Sequence, residues 1–438
     1  MINLDPLLLL YLAPLCLFLL LYGRFRSWSE SKAVRRLDDA VKAHMTEPPT
    51  LHPVIDPAKC LGCGACVNAC PEGDVLGLIG GKSVLINGAN CIGHGACKAA
   101  CPFDAIDLVF GTTRRGVSIP VLSPSFESTM SGVFVAGELG GMGLVRNAII
   151  QGSQAVTSAA HFLKEQAQTG HIDMLIVGAG PAGIAAALQA KALGLAATVI
   201  EQSEDLGGTV ANFPKNKLVM TAPVELPLVG KLKFRETSKE ALLDFWTGVI
   251  NEHKPDIRFG IQMVSVEGTA PHFRVQTTKE EFCARSVILA LGRRGTPRKL
   301  DVPGEHLSKV AYRLADPEQY ADQRVLVVGG GDSAIEAACE IAEAQATPNV
   351  ALSYRGEGFA RAKLKNRKRV DALEASGRLR VMLGSNVKAI KENGVIILNG
   401  DVEEEMPNDA VLICAGGVLP NALLEKIGVS MDVKYGTP

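Results

Sequence analysis

Apolar positions follow three regimes along the chain, and each predicts a different kind of element. From Leu7 to Tyr22 every residue is apolar, small or aromatic, with Pro14 as the only helix breaker. At 1.5 Å per residue this run rises about 24 Å, somewhat short of a bilayer core of roughly 30 Å, and Leu4 and Gly23 lengthen it. Behind it Ala33, Val34, Leu37, Val41 and Met45 recur at helical spacing until Pro48-Pro49 ends the pattern. A glycine-rich stretch with few large apolar residues then runs from Ile55 to Phe110. The remainder largely alternates short apolar runs with alanine-rich helical patterns, the signature of βαβ units.

The first regime predicts a transmembrane anchor over residues 4–23 and a juxtamembrane helix and linker over 24–54. A cleaved leader would want positive charge ahead of the apolar run and a small-x-small site after it, and neither is present. Arg24, Arg26, Lys32, Arg35 and Arg36 all follow the run. The positive-inside rule therefore predicts a single-pass protein of the cytoplasmic membrane with its bulk in the cytoplasm.

Charge adds little. The formal net charge is -1 over 438 residues, so nothing argues for a nucleic-acid partner. The cysteines add more, because seven of the eleven lie between residues 60 and 101 and Cys16, Cys283, Cys339 and Cys414 stand alone. That distribution fits metal ligation better than a disulfide framework. Cys60-Leu-Gly-Cys63-Gly-Ala-Cys66-Val-Asn-Ala-Cys70-Pro71 is followed by Cys91-Ile-Gly-His94-Gly-Ala-Cys97-Lys-Ala-Ala-Cys101-Pro102. Both have the CxxCxxCxxxCP spacing that wraps a cubane iron–sulfur cluster, with histidine at one cysteine position of the second. Zinc sites rarely combine a triple CxxCxxC with a CP closure. A region so poor in large side chains would depend on clusters as much as on a core.

The third regime carries two dinucleotide signatures. Met174-Leu-Ile-Val177 runs into Gly178-Ala-Gly180-Pro-Ala-Gly183, an alanine-rich helix to about Leu193, and a second strand ending at Glu201. The glycines would let the backbone approach a pyrophosphate at the helix N-terminus, and Glu201 stands where an acid accepts ribose hydroxyls. Arg324-Val-Leu-Val-Val328 repeats the grammar with Gly329-Gly-Gly331-Asp-Ser-Ala334 and a second strand ending at Tyr354-Arg355, with no acid. Arg355, with Arg361 and Lys363 behind it, suits a 2′-phosphate, which favours NADP over NAD.

From about Ile172 onward these features resemble the two-dinucleotide flavoproteins of the thioredoxin reductase superfamily, whose first site binds FAD and second NAD(P)H. Gly207-Gly208 matches the glycine pair near the flavin, and Leu289-Ala-Leu-Gly292 and Ile413-Cys-Ala-Gly416-Gly417 match the two domain-crossing segments. The superfamily closes its FAD domain with a C-terminal segment reading like GVFAAGD. Here Gly132-Val-Phe-Val-Ala-Gly137-Glu138 precedes the first GxGxxG instead, followed by a helix from Arg146 to about Phe162. The resemblance therefore implies a segment permuted forward, with Gly137 and Glu138 at the flavin. It also implies a homodimer. The superfamily's CxxC is absent, and Cys283, Cys339 and Cys414 read as small buried hydrophobes.

Residues 55–110 resemble a bacterial two-cluster ferredoxin. The pattern implies that Cys60, Cys63, Cys66 and Cys101 hold one [4Fe-4S] cluster, and Cys70, Cys91, Cys97 and His94 the other. Either His94 ligates iron and raises that cluster's potential, or the missing thiolate leaves a three-iron cluster.

The expected fold is α/β, with two Rossmann-like dinucleotide-binding domains, a small α+β ferredoxin-like domain and an N-terminal transmembrane helix. Its boundaries are 55–110 for the cluster domain, 111–165 for the permuted segment, 172–295 for FAD, 296–412 for NAD(P) and 413–438 for the return to the FAD domain. The expected activity is an NAD(P)H-dependent flavin/iron–sulfur oxidoreductase exchanging electrons with a redox protein or a quinone. Two other readings are a reductase of low-molecular-weight disulfides and a non-catalytic redox sensor.

Overall fold

The computed structural model describes the chain except residues 1–5, 43–45, 49–50, 114–115, 142, 214, 216, 222, 235, 294, 360–361, 401 and 437–438. It divides into two compact units, Met1–Gly116 with Tyr435–Pro438, and Val117–Lys434.

The first unit begins with helix α1 (Pro6–Lys42), which continues through Pro14. Among the described residues no helix is long and apolar enough to cross a membrane. The transmembrane anchor and the cytoplasmic-membrane placement read from the sequence are therefore corrected. Beyond Gly23 the same helix becomes polar and packs on protein. Ala33 is buried, Glu30 Oε1 accepts the Gly80 N–H at 2.7 Å, and Arg36 pairs with Asp74.

The small domain behind α1 is a repeat of two similar halves. β1 (His52–Ile55), α2 (Ala65–Ala69), β2 (Leu76–Ile79), β3 (Lys82–Leu85), α3 (Ala96–Ala99) and β4 (Ile106–Val109) follow in order. β1 pairs antiparallel with β4, and β2 with β3. Each short helix starts after a left-handed glycine, Gly64 at φ 78° and Gly95 at φ 72°, so both cysteine runs take the same path. Its core is small, with Cys66, Cys91 and Cys97 packed among Val75, Leu76 and Ile106.

The second unit opens with β5 (Val117–Pro120), β6 (Val133–Val135), α4 (Val145–Lys164), β7 (Ile172–Val177), α5 (Pro181–Ala192) and β8 (Ala197–Ile200). Two small pairs follow, β9 (Leu218–Met220) with β12 (Glu236–Ser238), and β10 (Val224–Leu226) with β11 (Gly230–Leu232). After α6 (Lys239–His253) come β13 (Asp256–Arg258), β14 (Met263–Thr269), β15 (His272–Thr277) and β16 (Glu281–Leu289). These build a seven-stranded sheet of order β13-β8-β7-β16-β15-β14, with β6 also beside β16. β6 runs parallel to β16, Val133 opposite Val287 and Val135 opposite Leu289. The forward segment thus belongs to this sheet. α4 lies on α5 because the facing residues are small: a Cβ at Gly152 would collide with the Ala182 backbone oxygen.

β17 (Thr296–Pro297) and β18 (Val310–Ala311) lead into the second dinucleotide unit. It contains β19 (Val325–Val328), α7 (Asp332–Ala344), β20 (Val350–Tyr354), α8 (Leu364–Ala375) and β21 (Leu379–Leu383). An antiparallel trio, β22 (Ser385–Lys391), β23 (Gly394–Asn399) and β24 (Val402–Pro407), precedes β25 (Ala410–Ile413). The parallel sheet has the order β18-β25-β19-β20-β21. β19 and β25 are buried along their whole length, as expected of central parallel strands covered on both faces. The chain returns through β26 (Gly417–Val418) on β17, α9 (Asn421–Lys426), and β27 (Met431–Lys434) on β5.

Candidate functional site

The carboxyl ends of β6, β7, β8 and β16 open onto one cavity of about 530 Å³. This is the end of a doubly wound sheet where ligands bind, and the volume is that of a cofactor site. Gly178, Gly180, Glu201, Gly208, Gly137 and Glu138 all line it. Gly183 and Gly207 stand just behind. A Cβ at Gly183 would collide with the Gly178 carbonyl oxygen, so that glycine lets α5 start hard against β7. Gly207 is left-handed at φ 109°, and its N–H donates to Ala179 O at 3.0 Å.

Glu201 is buried, and its two oxygens accept the Ala179 N–H at 2.7 Å and the Ser203 N–H at 2.9 Å. The acid at the end of β8 therefore shapes the glycine loop as well as facing the cavity. Gln151 is the residue that sequence reasoning missed here. Buried on α4, it accepts the Gly137 N–H through Oε1 at 2.9 Å and so holds the forward segment at the cavity wall. Asn212, also on the lining, donates to Gly208 O at 2.9 Å and accepts from Arg313. Such contacts between distant segments leave no trace in local spacing.

The second loop, after β19, repeats the design. Gly329 packs against the Cys414 carbonyl, Gly331 precedes α7, and Ala334 is fully buried where the first loop has Gly183. Asp332 Oδ1 accepts the Lys363 N–H at 2.8 Å and Asn366 Nδ2 at 2.7 Å, tying the segment after β20 to the start of α7. The Tyr354 ring lies against Gly330 and Gly356 and stacks on Phe359 at 5.8 Å. Arg355 is exposed just past β20, and Arg361 lies outside the described residues.

In the small domain, Cys60, Cys63, Cys66 and Cys101 line one apolar cavity with Ile55, Ser83 and Ile106. That is the set implied for one cluster. Among the described residues no three His, Cys, Asp or Glu converge on a single metal ion. A cubane takes its sulfurs at separate corners, so a shared cavity is the relevant fit. Cys91 and Cys97 are buried and Cys70 half-buried in the same small core. Burial pushes the Cys91 thiol up to about 11 and raises Cys70 and Cys97 as well. Metal ligation would favour their thiolate forms. His94 Nε2 is buried without a hydrogen-bond partner, and burial lowers the imidazole's pKa against the opposing pull of Glu72. A buried, orphaned imidazole nitrogen fits an iron ligand.

Two dinucleotide loops joined by paired crossing strands, with the forward segment completing the first sheet, define an FAD/NAD(P) flavoenzyme carrying an iron–sulfur domain. The chain belongs to the pyridine nucleotide-disulphide oxidoreductase family, whose model matches residues 175–437, and residues 52–102 match a 4Fe-4S dicluster domain. It is 29% identical to the bacilliredoxin reductase of Bacillus subtilis over 60% of this chain and 82% of that one. It is also 29% identical to a ferredoxin–NADP reductase of Ignicoccus hospitalis, over 60% of this chain and 83% of that one. The bacillithiol disulfide reductase of Bacillus cereus superposes with a TM-score of 0.52 at 26% identity, over 59% of this chain and 82% of that one. The protein is an NAD(P)H-dependent, FAD-containing iron–sulfur oxidoreductase.

Proposed function

We propose that the protein moves electrons between NAD(P)H and an external acceptor through FAD at the β6/β7/β8/β16 cavity and through clusters at the two cysteine sets, in either direction. The observation that carries this reading is one chain holding a cofactor-sized cavity at the first glycine loop together with a cysteine-lined cavity matching one cluster set. Bound FAD would supply the conversion of a two-electron hydride into single electrons.

The chain's own residues bind and position. The N-terminus of α5 turns positive potential toward a pyrophosphate, and Glu201 holds the loop in shape and faces the ribose. Gly137, fixed by Gln151, and Glu138 form the wall contributed by the forward segment. At the second loop Gly329 and Gly331 admit the nicotinamide dinucleotide, and exposed Arg355 favours the 2′-phosphate of NADP. In the small domain Cys60, Cys63, Cys66 and Cys101 hold one cluster, and Cys70, Cys91, Cys97 and His94 the second.

The disulfide-reductase reading draws on the substrates named for the relatives. Among the described residues that line the FAD cavity, none is a cysteine, so this chain offers no thiol there to relay electrons to a disulfide. An anaerobic titration with NADPH and NADH, followed by optical and electron paramagnetic resonance spectra, tests the proposal. Flavin bleaching followed by a cluster signal is the expected result. Bleaching with no cluster signal at any potential overturns it.

A further inference from the structure

We propose that Ser83 is a positioning residue that raises the redox potential of the iron–sulfur site built from Cys60, Cys63, Cys66 and Cys101. The inference rests on the reading above that these four sulfurs hold a cluster. Ser83 sits in the middle of the β2–β3 hairpin, opposite Leu78, and is 5% exposed. Its side chain lines the cysteine cavity, whose other non-cysteine walls include Ile55, Leu61, Phe103 and Ile106. A hydroxyl in such company is costly unless it is bonded.

Ser83 reaches two of the four sulfurs. Its backbone N–H points at Cys60 Sγ, 3.4 Å away, and its Oγ lies 3.2 Å from Cys66 Sγ. As drawn by the protonated thiol, Cys66 donates to the hydroxyl. A sulfur bound to iron has lost that proton, so the hydroxyl becomes the donor and the sulfur the acceptor. Donation to the sulfurs draws charge from them and favours the more negative, reduced state, which raises the potential.

The hairpin is held in place from both sides. Lys82 Nζ donates to Cys60 O at 2.6 Å, and Glu30 of α1 accepts the Gly80 N–H at the turn. Gly62, between Cys60 and Cys63, leaves no room for a Cβ beneath the Gly81 carbonyl. Small displacements of Ser83 relative to the sulfurs are thereby resisted.

The test is a redox titration of the reconstituted full chain, monitored by electron paramagnetic resonance. In Ser83→Ala one cluster wave should move to lower potential while the other stays, with iron and sulfide content unchanged, and Ser83→Thr should restore the wild-type value. Unmoved potentials in Ser83→Ala overturn the proposal, as does a shift accompanied by iron loss that Ser83→Thr fails to reverse. A Cys60→Ser control separates the two ways of failing. If Cys60→Ser leaves every cluster signal intact, the ligand reading is wrong and the proposal falls with it. If it alters one signal while Ser83→Ala moves nothing, only the role of Ser83 falls.

Discussion

At the scale of single residues, His94 is the position where chemistry and burial bear most directly on each other. Its Nε2 is buried and unpartnered, and burial lowers the imidazole's pKa. If it ligates iron, His94→Cys adds a thiolate charge and should lower the midpoint potential of one cluster. Unchanged spectra and potentials in that variant would rule out ligation. Asp409 gives a different kind of test. Its carboxylate accepts from Arg324 through the backbone N–H at 2.8 Å and the guanidinium at 2.6 and 2.8 Å, which holds its pKa at about 2, below the ordinary 3.8. A depressed acid contributes stability that is complete above its unfolded pKa and is lost as pH falls toward the folded one. Asp409→Asn should therefore lower stability at pH 7 by no more than about 1 kcal/mol, because the pair is exposed and screened, and the gap from wild type should close between about pH 4 and pH 2. Urea midpoints across that range measure it. A gap that stays constant with pH would assign the loss to something other than ionisation.

At the scale of elements, the small faces of α4 and α5 and one buried cation fix the forward segment to the first sheet. Gly152→Ala would place a methyl group against the Ala182 backbone, which cannot rotate away as a side chain can. Overpacking of this kind costs about 1–3 kcal/mol and should lower both Tm and FAD retention. An unchanged Tm would show that the two helices do not pack this closely. Arg285 in β16 is 2% exposed, donating to Asp173 at 2.6 Å, to Leu163 O in the last turn of α4 and to Gln166 O just beyond it. Asp173→Ala strands that cation, and a loss near 3 kcal/mol in urea unfolding is expected, with Asp173→Ala/Arg285→Met recovering part of it. A loss under about 1 kcal/mol would mean that the backbone carbonyls alone satisfy the arginine. How much was legible follows from the same residues. The glycine loops and Glu201 lie in short, regular spacing, so the sequence displays them. Gln151 and Arg285 act across more than ten and more than a hundred residues respectively, and only the folded sheet brings their partners near. The N-terminal run was misleading for a related reason: its apolar composition was visible, whereas the packing of Ala33 and Glu30 on the β2–β3 hairpin and of Arg36 on Asp74 was not.

At the scale of the whole molecule, the two units differ in what holds them together. Unit Val117–Lys434 has several apolar cores, and its two dinucleotide regions are bridged by Lys217 on Glu336 at 2.8 Å and Lys215 on Asp316 at 3.2 Å. Among the described residues of 51–110, twelve apolar residues are buried, and four of them are Cys60, Cys66, Cys91 and Cys97. On the proposed ligand assignment a third of that core is made of ligands, so metal binding, whose free energy is folding free energy, would supply much of its stability. Removing iron by chelation under reducing conditions should then unfold residues 51–110 while the larger unit keeps its structure. Hydrogen exchange is the direct measurement: amides of β1 to β4 should lose protection, and those of β7, β16 and β19 should keep it. The stripped protein should still bind FAD and still bleach on adding NADPH, with only the onward transfer lost. Loss of flavin together with iron, in one cooperative step, would instead mean that the clusters support the whole chain, and that the cysteine-rich domain is structural scaffolding for the flavoenzyme as much as a carrier of its electrons.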